Sequence, residues 1–179
     1  IVPLDYPEPV AADWPDLLDI VERNVKPERD RDNREARRHN WWKYGERAPG
    51  LYRALKLGDR AIAISRVTHS FAFTFLPSSM VYAETIVLSP CPHPTLFAVL
   101  QSRMHEAWAR FFASSLEERL RYTPSDCFET FPLPPSFEFN VTLEHVGCTY
   151  YDFRAQLMQR ENKGLTAIYN WFHDPECEC

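Results

Sequence analysis

The most regular hydrophobic pattern in the chain predicts a long amphipathic helix over residues 94–113. Polar side chains in this stretch fall largely away from the apolar stripe. Pro94 suits the first turn of a helix, where a backbone N–H has no partner to lose. We expect the whole stripe to lie in the core, and it consists of Leu96, Leu100, Met104, Trp108 and Phe111.

Three segments before this helix, at 61–67, 70–76 and 81–87, have the alternation and the β-branched and aromatic content of strands. Side chains two residues apart share one face of a strand, so Phe71, Phe73 and Phe75 form one apolar face. The pattern predicts an α+β fold, with a small mixed β-sheet packed with a long amphipathic helix and followed by a short helical C-terminal appendage.

Prolines and changes of pattern divide the chain into four parts. Residues 1–12 read as a linker from an upstream domain, and 13–135 as one folded domain. Residues 136–148 read as a second linker, and 149–179 as a truncated helical C-terminal segment with helices over 150–160 and 165–172. Shorter helices are expected before Pro27 and over 50–56. Because the chain begins with Ile1, we expect a fragment or a processed product.

Charge is distributed unevenly along a chain whose net charge is −5. Residues 23–66 contain 13 Lys and Arg against 6 Asp and Glu, so this stretch carries +7 and the remainder −12. A locally basic surface binds phosphates even on an acidic protein. The basic run leads into Trp41 and Trp42, which suit either base stacking or anchoring in the core, and we expect the core.

The usual motifs of catalysis are missing. The sequence contains no phosphate-binding glycine loop, no nucleophile elbow and no Asn/Asp-Pro-Pro-aromatic motif of methyltransferases. Glu161 and Lys163 match the end of a metal-dependent nuclease motif, but no upstream Asp accompanies them. No apolar run approaches the roughly 18 residues of a membrane helix. Five cysteines without framework spacing indicate a reduced, cytoplasmic protein.

Histidines and cysteines near the C-terminus have the chemistry of zinc ligands, but their spacing fits no familiar site. We therefore expect no metal and unliganded thiols in this set of residues, which comprises His145, Cys148, His173, Cys177 and Cys179. His105 lies in the predicted long helix. We expect it to pack beside Gln101 and Ser102 and to satisfy buried backbone groups rather than to act as a base.

Four stretches together resemble the C-terminal specificity region of single-chain type IIG (type IIL) restriction-modification enzymes. They cover residues 25–55, 61–77, 96–112 and 120–134. The most distinctive pieces are the Leu-Gln-Ser-x-x-His-x-x-Trp helix and the passage from Tyr-Thr-Pro-Ser to Phe-Pro-Leu-Pro. GLTAIYNWFHDP is similar to the helical tail of the same proteins, so the resemblance extends over about residues 6–175.

The resemblance implies that residues 13–135 form a DNA target recognition domain, which reads sequence and does not catalyse. In that family it follows an adenine methyltransferase domain, with an endonuclease domain farther upstream, and the enzymes take part in phage defence. The parent would use S-adenosylmethionine and Mg²⁺, while this fragment would hold no cofactor. The implied partners are double-stranded DNA and the catalytic domains of the same polypeptide, with no membrane.

The family's variable reading surface would fall between about residues 42 and 82. Basic and polar side chains there can address base edges in the major groove, and the candidates are Lys43, Arg47, Arg66, His69, Ser70 and Ser79. Phosphate contacts position a protein without specifying sequence, and for these we predict Arg29, Arg31, Arg34, Arg38 and Arg53. Arg66, His69 and Ser70 could equally be ordinary surface side chains.

Two other functions remain open at this point. One is a small metal-dependent nuclease that uses Glu161 and Lys163. The other is a protein-interaction module that uses the aromatic surface around Trp41 and Trp42.

Overall fold

The computed structural model describes residues 14–45, 48–113, 115–116 and 119–174. The chain divides into two compact units, Ile1–Arg53 and Ala54–Cys179, which are described separately. Within the described ranges, no helix combines the length and the apolar character that crossing a membrane requires.

The first unit is built from short, well-solvated helices. The helix predicted before Pro27 is present, with Pro15 in its first turn. None of the first three helices has a buried residue, and ion pairs such as that between Lys26 Nζ and Glu22, at 2.7 Å, run along their surface. A fourth helix crosses the division between the units. The four are α1 (Pro15–Asn24), α2 (Lys26–Arg29), α3 (Glu35–His39) and α4 (Pro49–Leu55).

The second unit contains two small sheets in place of the single mixed sheet that the sequence predicted. The strand pairings among the described residues are all antiparallel, with the orders β3-β1-β4 and β2-β6-β5. The chain passes from one sheet to the other within a few residues, between β1 and β2. The α+β class is confirmed. The strands are β1 (Arg60–Ser65), β2 (Val67–Thr68), β3 (Thr74–Pro77), β4 (Ile86–Ser89), β5 (Ser115–Leu116) and β6 (Arg119–Arg121).

The strand predicted over 70–76 begins only at Thr74, because side chains satisfy the backbone before it. The Gln101 amide donates to the Phe71 carbonyl at 2.9 Å and accepts from the Phe73 N–H at 2.8 Å. Arg154 donates to the Phe73 carbonyl at 2.7 Å. Phe71 and Phe73 are nevertheless buried on the expected apolar face, with Phe75 packed partly buried against them.

The predicted long helix is divided into α5 (Pro94–Leu100) and α6 (Arg103–Phe112). Ser102 has an extended backbone, with ψ of 152°, and its hydroxyl caps α6 by accepting from the His105 N–H at 3.2 Å. The Leu100 carbonyl, left without a helical partner, lies 2.8 Å from His105 Nδ1. Side chains close in sequence therefore satisfy the backbone groups at the end of α5 and at the start of α6. The hydrophobic pattern alone did not predict this break.

The break changes which face of α6 is buried, so part of the predicted apolar stripe is wrong. Leu96 and Leu100 lie in the core, but Met104 is 76% exposed and Phe111 80% exposed. Trp108 is half-buried, and its indole N–H donates to Thr130 Oγ1 at 3.0 Å. The α6 residues that enter the core are instead His105 and Ala109, since two non-helical residues reorient α6 relative to α5.

The C-terminal helices pack into the core of the second unit. Helix α8 lies against α5 so closely that a Cβ on Gly147 would be 2.3 Å from the Pro94 carbonyl oxygen. It begins at Val141, inside the segment predicted as a linker, rather than near residue 150. The elements of this region are α7 (Pro124–Cys127), a 3₁₀ turn (Phe137–Phe139), α8 (Val141–Arg160) and α9 (Leu165–Phe172).

Candidate nucleic-acid interface

Four arginines of the first unit, Arg29, Arg34, Arg37 and Arg38, lie near Asp32. Its side chain accepts from the Arg34 N–H at 2.8 Å and from the Arg37 guanidinium at 3.3 Å, while Arg38 donates to its backbone carbonyl at 2.6 Å. The Arg34 hydrogen bond, with Arg37 and Arg29 nearby, holds the pKa of Asp32 below its usual value. Asp32 therefore stays ionised and fixes the arrangement of a surface that is otherwise basic.

All five arginines predicted to contact phosphates belong to this unit. Arg31, Arg34, Arg38 and Arg53 are exposed, and Arg29 is half-buried. A Cβ placed on Gly45 would lie 3.3 Å from Arg29 Nη1 and 3.2 Å from Arg37 Nε, so these two guanidinium groups lie beside the same short stretch of backbone. The structure thus groups Arg29 with the arginines that surround Asp32.

Trp41 and Trp42 are half-buried, so the expectation that both lie in the core is not met. Their rings meet edge to face, with centroids 5.6 Å apart. Lys26 Nζ lies 5.1 Å from the Trp41 ring centroid and Lys43 Nζ 5.4 Å from that of Trp42. Lys43 therefore has a cation–π contact. Arg47, the other base-reading candidate of this unit, lies outside the described residues.

Arg66 lies where the chain leaves the first sheet of the second unit and enters the second. Its N–H donates to the Thr85 carbonyl at 2.7 Å, and its own carbonyl accepts from the Tyr122 N–H at 2.8 Å. The side-chain Nε donates to the Glu84 carbonyl at 2.7 Å. The backbone and the guanidinium of Arg66 are thus both held in place.

The residues after Arg66 form a tight turn that presents His69. The Thr68 hydroxyl donates to the Ser70 carbonyl at 2.7 Å and accepts from the Ser70 N–H at 3.1 Å. His69, between them, is exposed, and Ser70 is half-buried. Ser79 is also exposed but follows β3 of the first sheet, so it lies on a different element from His69.

Two arginines on β6 lie beside this turn in the sheet and were missed by the sequence reasoning. Register pairs Val67 with Arg121 and Thr68 with Leu120. Leu120 is 5% exposed, whereas Arg121 is exposed and Arg119 half-buried. The alternation of Arg with apolar residues over 119–122 was a usable signal of a strand with one solvent face.

His105 is structural, as predicted. It is fully buried, and burial lowers its pKa, so the ring is neutral and carries one proton. Nδ1 lies 2.8 Å from the Leu100 carbonyl and Nε2 lies 3.2 Å from the Cys127 carbonyl, and both carbonyl oxygens can only accept. Nε2 also lies 3.3 Å from the Tyr122 hydroxyl. Both ring nitrogens of His105 thus contact groups inside the protein.

The residues suggested for metal chemistry make separate local contacts. Glu161 accepts from Arg160 at 2.9 Å, while Lys163 Nζ lies 4.5 Å from the centroid of the Trp171 ring. Among the residues that the structure describes, no three His, Cys, Asp or Glu side chains converge as metal ligands. Cys177 and Cys179 lie outside those residues, so the expectation of no zinc stays a prediction.

Comparison with known protein families returns a match to a target recognition domain. The matching family model, described as "MmeI, target recognition domain", covers residues 21–135, well over half of the chain. The match includes the arginines around Asp32 and both sheets, and it ends before α8. No curated protein and no solved structure gives a significant match.

Proposed function

Because the chain belongs to the family of MmeI target recognition domains, we propose that it selects the double-stranded DNA sequence on which a restriction-modification enzyme acts. The family match is the observation that carries the proposal. A target recognition domain is non-catalytic, so methylation and cleavage belong to other parts of the enzyme. The chain contributes the choice of site.

We place this chain after an adenine methyltransferase domain and an endonuclease domain in one cytoplasmic type IIG polypeptide, which serves phage defence. S-adenosylmethionine and Mg²⁺ would be held by those domains. The sequence has no glycine-rich loop, and no three His, Cys, Asp or Glu side chains converge among the described residues.

Phosphate contacts and base contacts fall to different residues in this proposal. Charge for the DNA backbone, which sets affinity and register, comes from Arg29, Arg31, Arg34, Arg38 and Arg53. Arg66 and His69 address base edges, with Ser70, Lys43, Arg47 and Ser79 as further candidates. Arg66 is the best supported, because the Glu84 carbonyl holds its Nε. Its terminal nitrogens then form an oriented fork that matches O6 and N7 of guanine.

The proposal is tested by binding the full chain to duplex DNA of random sequence at several salt concentrations. We expect affinity to fall steeply as salt rises, because each phosphate contact releases counterions. The Arg34→Ala variant should weaken all sequences alike and reduce the salt slope by about 1. The Arg66→Ala variant should instead relax one base preference, at a cost of about 1–3 kcal/mol.

The matched control is Arg160→Ala, which removes an exposed arginine of α8 and should change neither slope nor preference. Binding that is insensitive to salt, or absent at low salt, contradicts the proposal. Magnesium-dependent cleavage by this chain, lost in Glu161→Ala, would indicate the nuclease function instead.

A further inference from the structure

The second sheet of the second unit has an open face, whereas the first sheet does not. In the first sheet, the central strand β1 is buried on both faces, with Ala61, Ile62, Ala63 and Ile64 at most 3% exposed. In the second sheet, the central strand β6 alternates between buried and solvent-accessible residues. Of the two sheets, the second therefore has a central strand that can present side chains to a ligand.

Arg121 lies on that open face. Leu120 and Tyr122, on either side of it in the chain, are 5% and 2% exposed and belong to the hydrophobic core. Successive side chains of a strand point to opposite faces, so Arg121 points away from the core. Val67, its partner across the strand pair, shares the same outward face.

The backbone that carries Arg121 is firmly held. The Tyr122 N–H donates to the Arg66 carbonyl at 2.8 Å. The Tyr122 ring packs against Phe71, Phe73 and His105 with centroid separations of 6.2, 5.6 and 5.8 Å. Since both neighbours of Arg121 are anchored, the Cα of this arginine has a defined position, which base recognition requires.

Arg121 also differs in its partners from three exposed arginines on the helices of this unit. Arg103 and Arg110 both pair with Glu106, at 2.6 and 2.9 Å, and Arg160 pairs with Glu161 at 2.9 Å. Within the part of the chain that the structure describes, no carboxylate pairs with Arg121. Arg121 is therefore an exposed arginine without a carboxylate partner in that part of the chain.

We propose that the outward face of β2 and β6 enters the major groove of DNA and that Arg121 recognises a guanine there. Three strands span two strand spacings, about 10 Å in all. That width fits a major groove of about 12 Å but not a minor groove of about 6 Å. Because β6 is the central strand, Arg121 faces the floor of the groove, where the base edges lie, rather than its phosphate walls.

The chemistry of the surrounding face agrees with this assignment. An arginine fork donates two parallel hydrogen bonds to O6 and N7 of guanine. Val67, beside Arg121, offers methyl groups that suit the methyl group of a neighbouring thymine. The assignment rests on the proposed function and specifies a residue and a base for it.

The test compares Arg121→Ala and Arg121→Lys with the unaltered full chain. Preferred sequences are first selected from a random duplex library. Affinity is then measured for the selected duplex, for its variants at each position and for an unrelated duplex. Arg103→Ala is the matched control, since this arginine is 81% exposed on α6 of the same unit. Thermal unfolding verifies that the substitutions at an exposed position leave the fold intact.

Both Arg121 variants should lose about 10- to 100-fold in affinity for the selected duplex, and their preference for guanine at one position should disappear. Lysine keeps the charge but not the fork, so Arg121→Lys should retain binding to the unrelated duplex within about twofold. Arg103→Ala should keep the full preference.

Two results would overturn the assignment while leaving the proposed function standing. One is an Arg121→Lys variant that keeps the guanine preference, and the other is an Arg121→Ala variant that weakens all duplexes equally, as a phosphate contact would. If the unaltered chain itself distinguishes no sequences, the proposed function fails, and the assignment fails with it.

Discussion

At the residue scale, each polar side chain of the distinctive motif Leu-Gln-Ser-x-x-His makes specific hydrogen bonds inside the protein. Gln101 binds the backbone of Phe71 and Phe73, and Ser102 caps α6. The His105 ring lies within hydrogen-bond distance of the Leu100 carbonyl, which ends α5, of the Cys127 carbonyl and of the Tyr122 hydroxyl. Each polar side chain meets a backbone group that would otherwise be buried without a partner, which costs about 1–3 kcal/mol per group. The motif therefore holds the two helices and the strand region together.

The stability of the protein should decrease as pH falls below about 6.5, because of His105. Burial lowers the pKa of this histidine from its ordinary value of 6.5, so below that value the unfolded chain binds a proton that the folded chain refuses. The free energy of unfolding then falls by up to about 1.4 kcal/mol per pH unit, until the folded-state pKa is reached. Denaturant unfolding between about pH 8 and pH 5.5 measures this slope.

The control for this pH effect is His105→Gln, which removes the titrating group, beside His69→Gln, which removes an exposed histidine. We expect a reduced slope in the first and an unchanged slope in the second. Equal slopes in His105→Gln and the unaltered chain would show that another group is responsible.

At the element scale, the contact between α5 and α8 joins the C-terminal helices to the recognition domain. Gly147 allows the two helices to approach, since any side chain there would meet the Pro94 carbonyl. Farther along α8, Arg154 is 4% exposed and donates to Phe73 and to the Tyr169 hydroxyl, the latter at 3.1 Å. One helix thus contacts α5, the strand region and α9.

Gly147→Ala should destabilise the protein, although alanine is the better helix former by about 1 kcal/mol. The new Cβ would lie 2.3 Å from backbone, which cannot move aside as a flexible side chain would. We expect a net loss of about 1–3 kcal/mol in the free energy of unfolding, as for other overpacked sites. Chemical denaturation measures it.

Gly50→Ala is the matched control, because Gly50 is also helical and a Cβ there would meet nothing within 4 Å. This variant should be as stable as the unaltered chain or slightly more so. Equal stability of the two alanine variants would mean that α8 does not approach α5 as the structure shows.

At the scale of the whole molecule, the family match and the folded unit do not end at the same place. The match ends at residue 135, but the core of the second unit includes Phe137 and is packed against by Leu143 and Tyr151. The helices that follow the matched region therefore bury apolar surface of the recognition domain itself.

A chain that ends at residue 135 should fail to unfold cooperatively. Without α8 and α9, the face of α5 that packs against α8 would be exposed to solvent. The Phe73 carbonyl would also lose the hydrogen bond that Arg154 donates to it. Thermal unfolding followed by circular dichroism checks this, with a chain that ends at residue 174 as the control. A cooperative transition at an unchanged temperature in the shorter chain would show that the C-terminal helices are dispensable.

The sequence by itself determined where several helices and strands lie and which family the chain belongs to. Helical periodicity located α5 and α6, and the run over 61–67 located β1, whereas the strands predicted over 70–76 and 81–87 overlap β3 and β4 only in part. The order of motifs predicted the family that the match over residues 21–135 confirms. These features are local, because a side chain's position in a helix or strand follows from the residues within a few positions of it. The basic run over residues 23–66 and the lack of catalytic motifs are likewise read directly from the order of residues.

Only the tertiary structure decided which of those faces and residues come together. Periodicity assigned Met104 and Phe111 to the core, but the break at Ser102 buries His105 and Ala109 instead. The pairing that places Arg121 opposite Val67 joins residues far apart in the chain. A local pattern states that a strand has an apolar and a polar face, but the partner of each face depends on long-range packing and hydrogen bonding. For that reason the sequence predicted the family, whereas only the fold showed that Arg121 lies on the outward face of the second sheet.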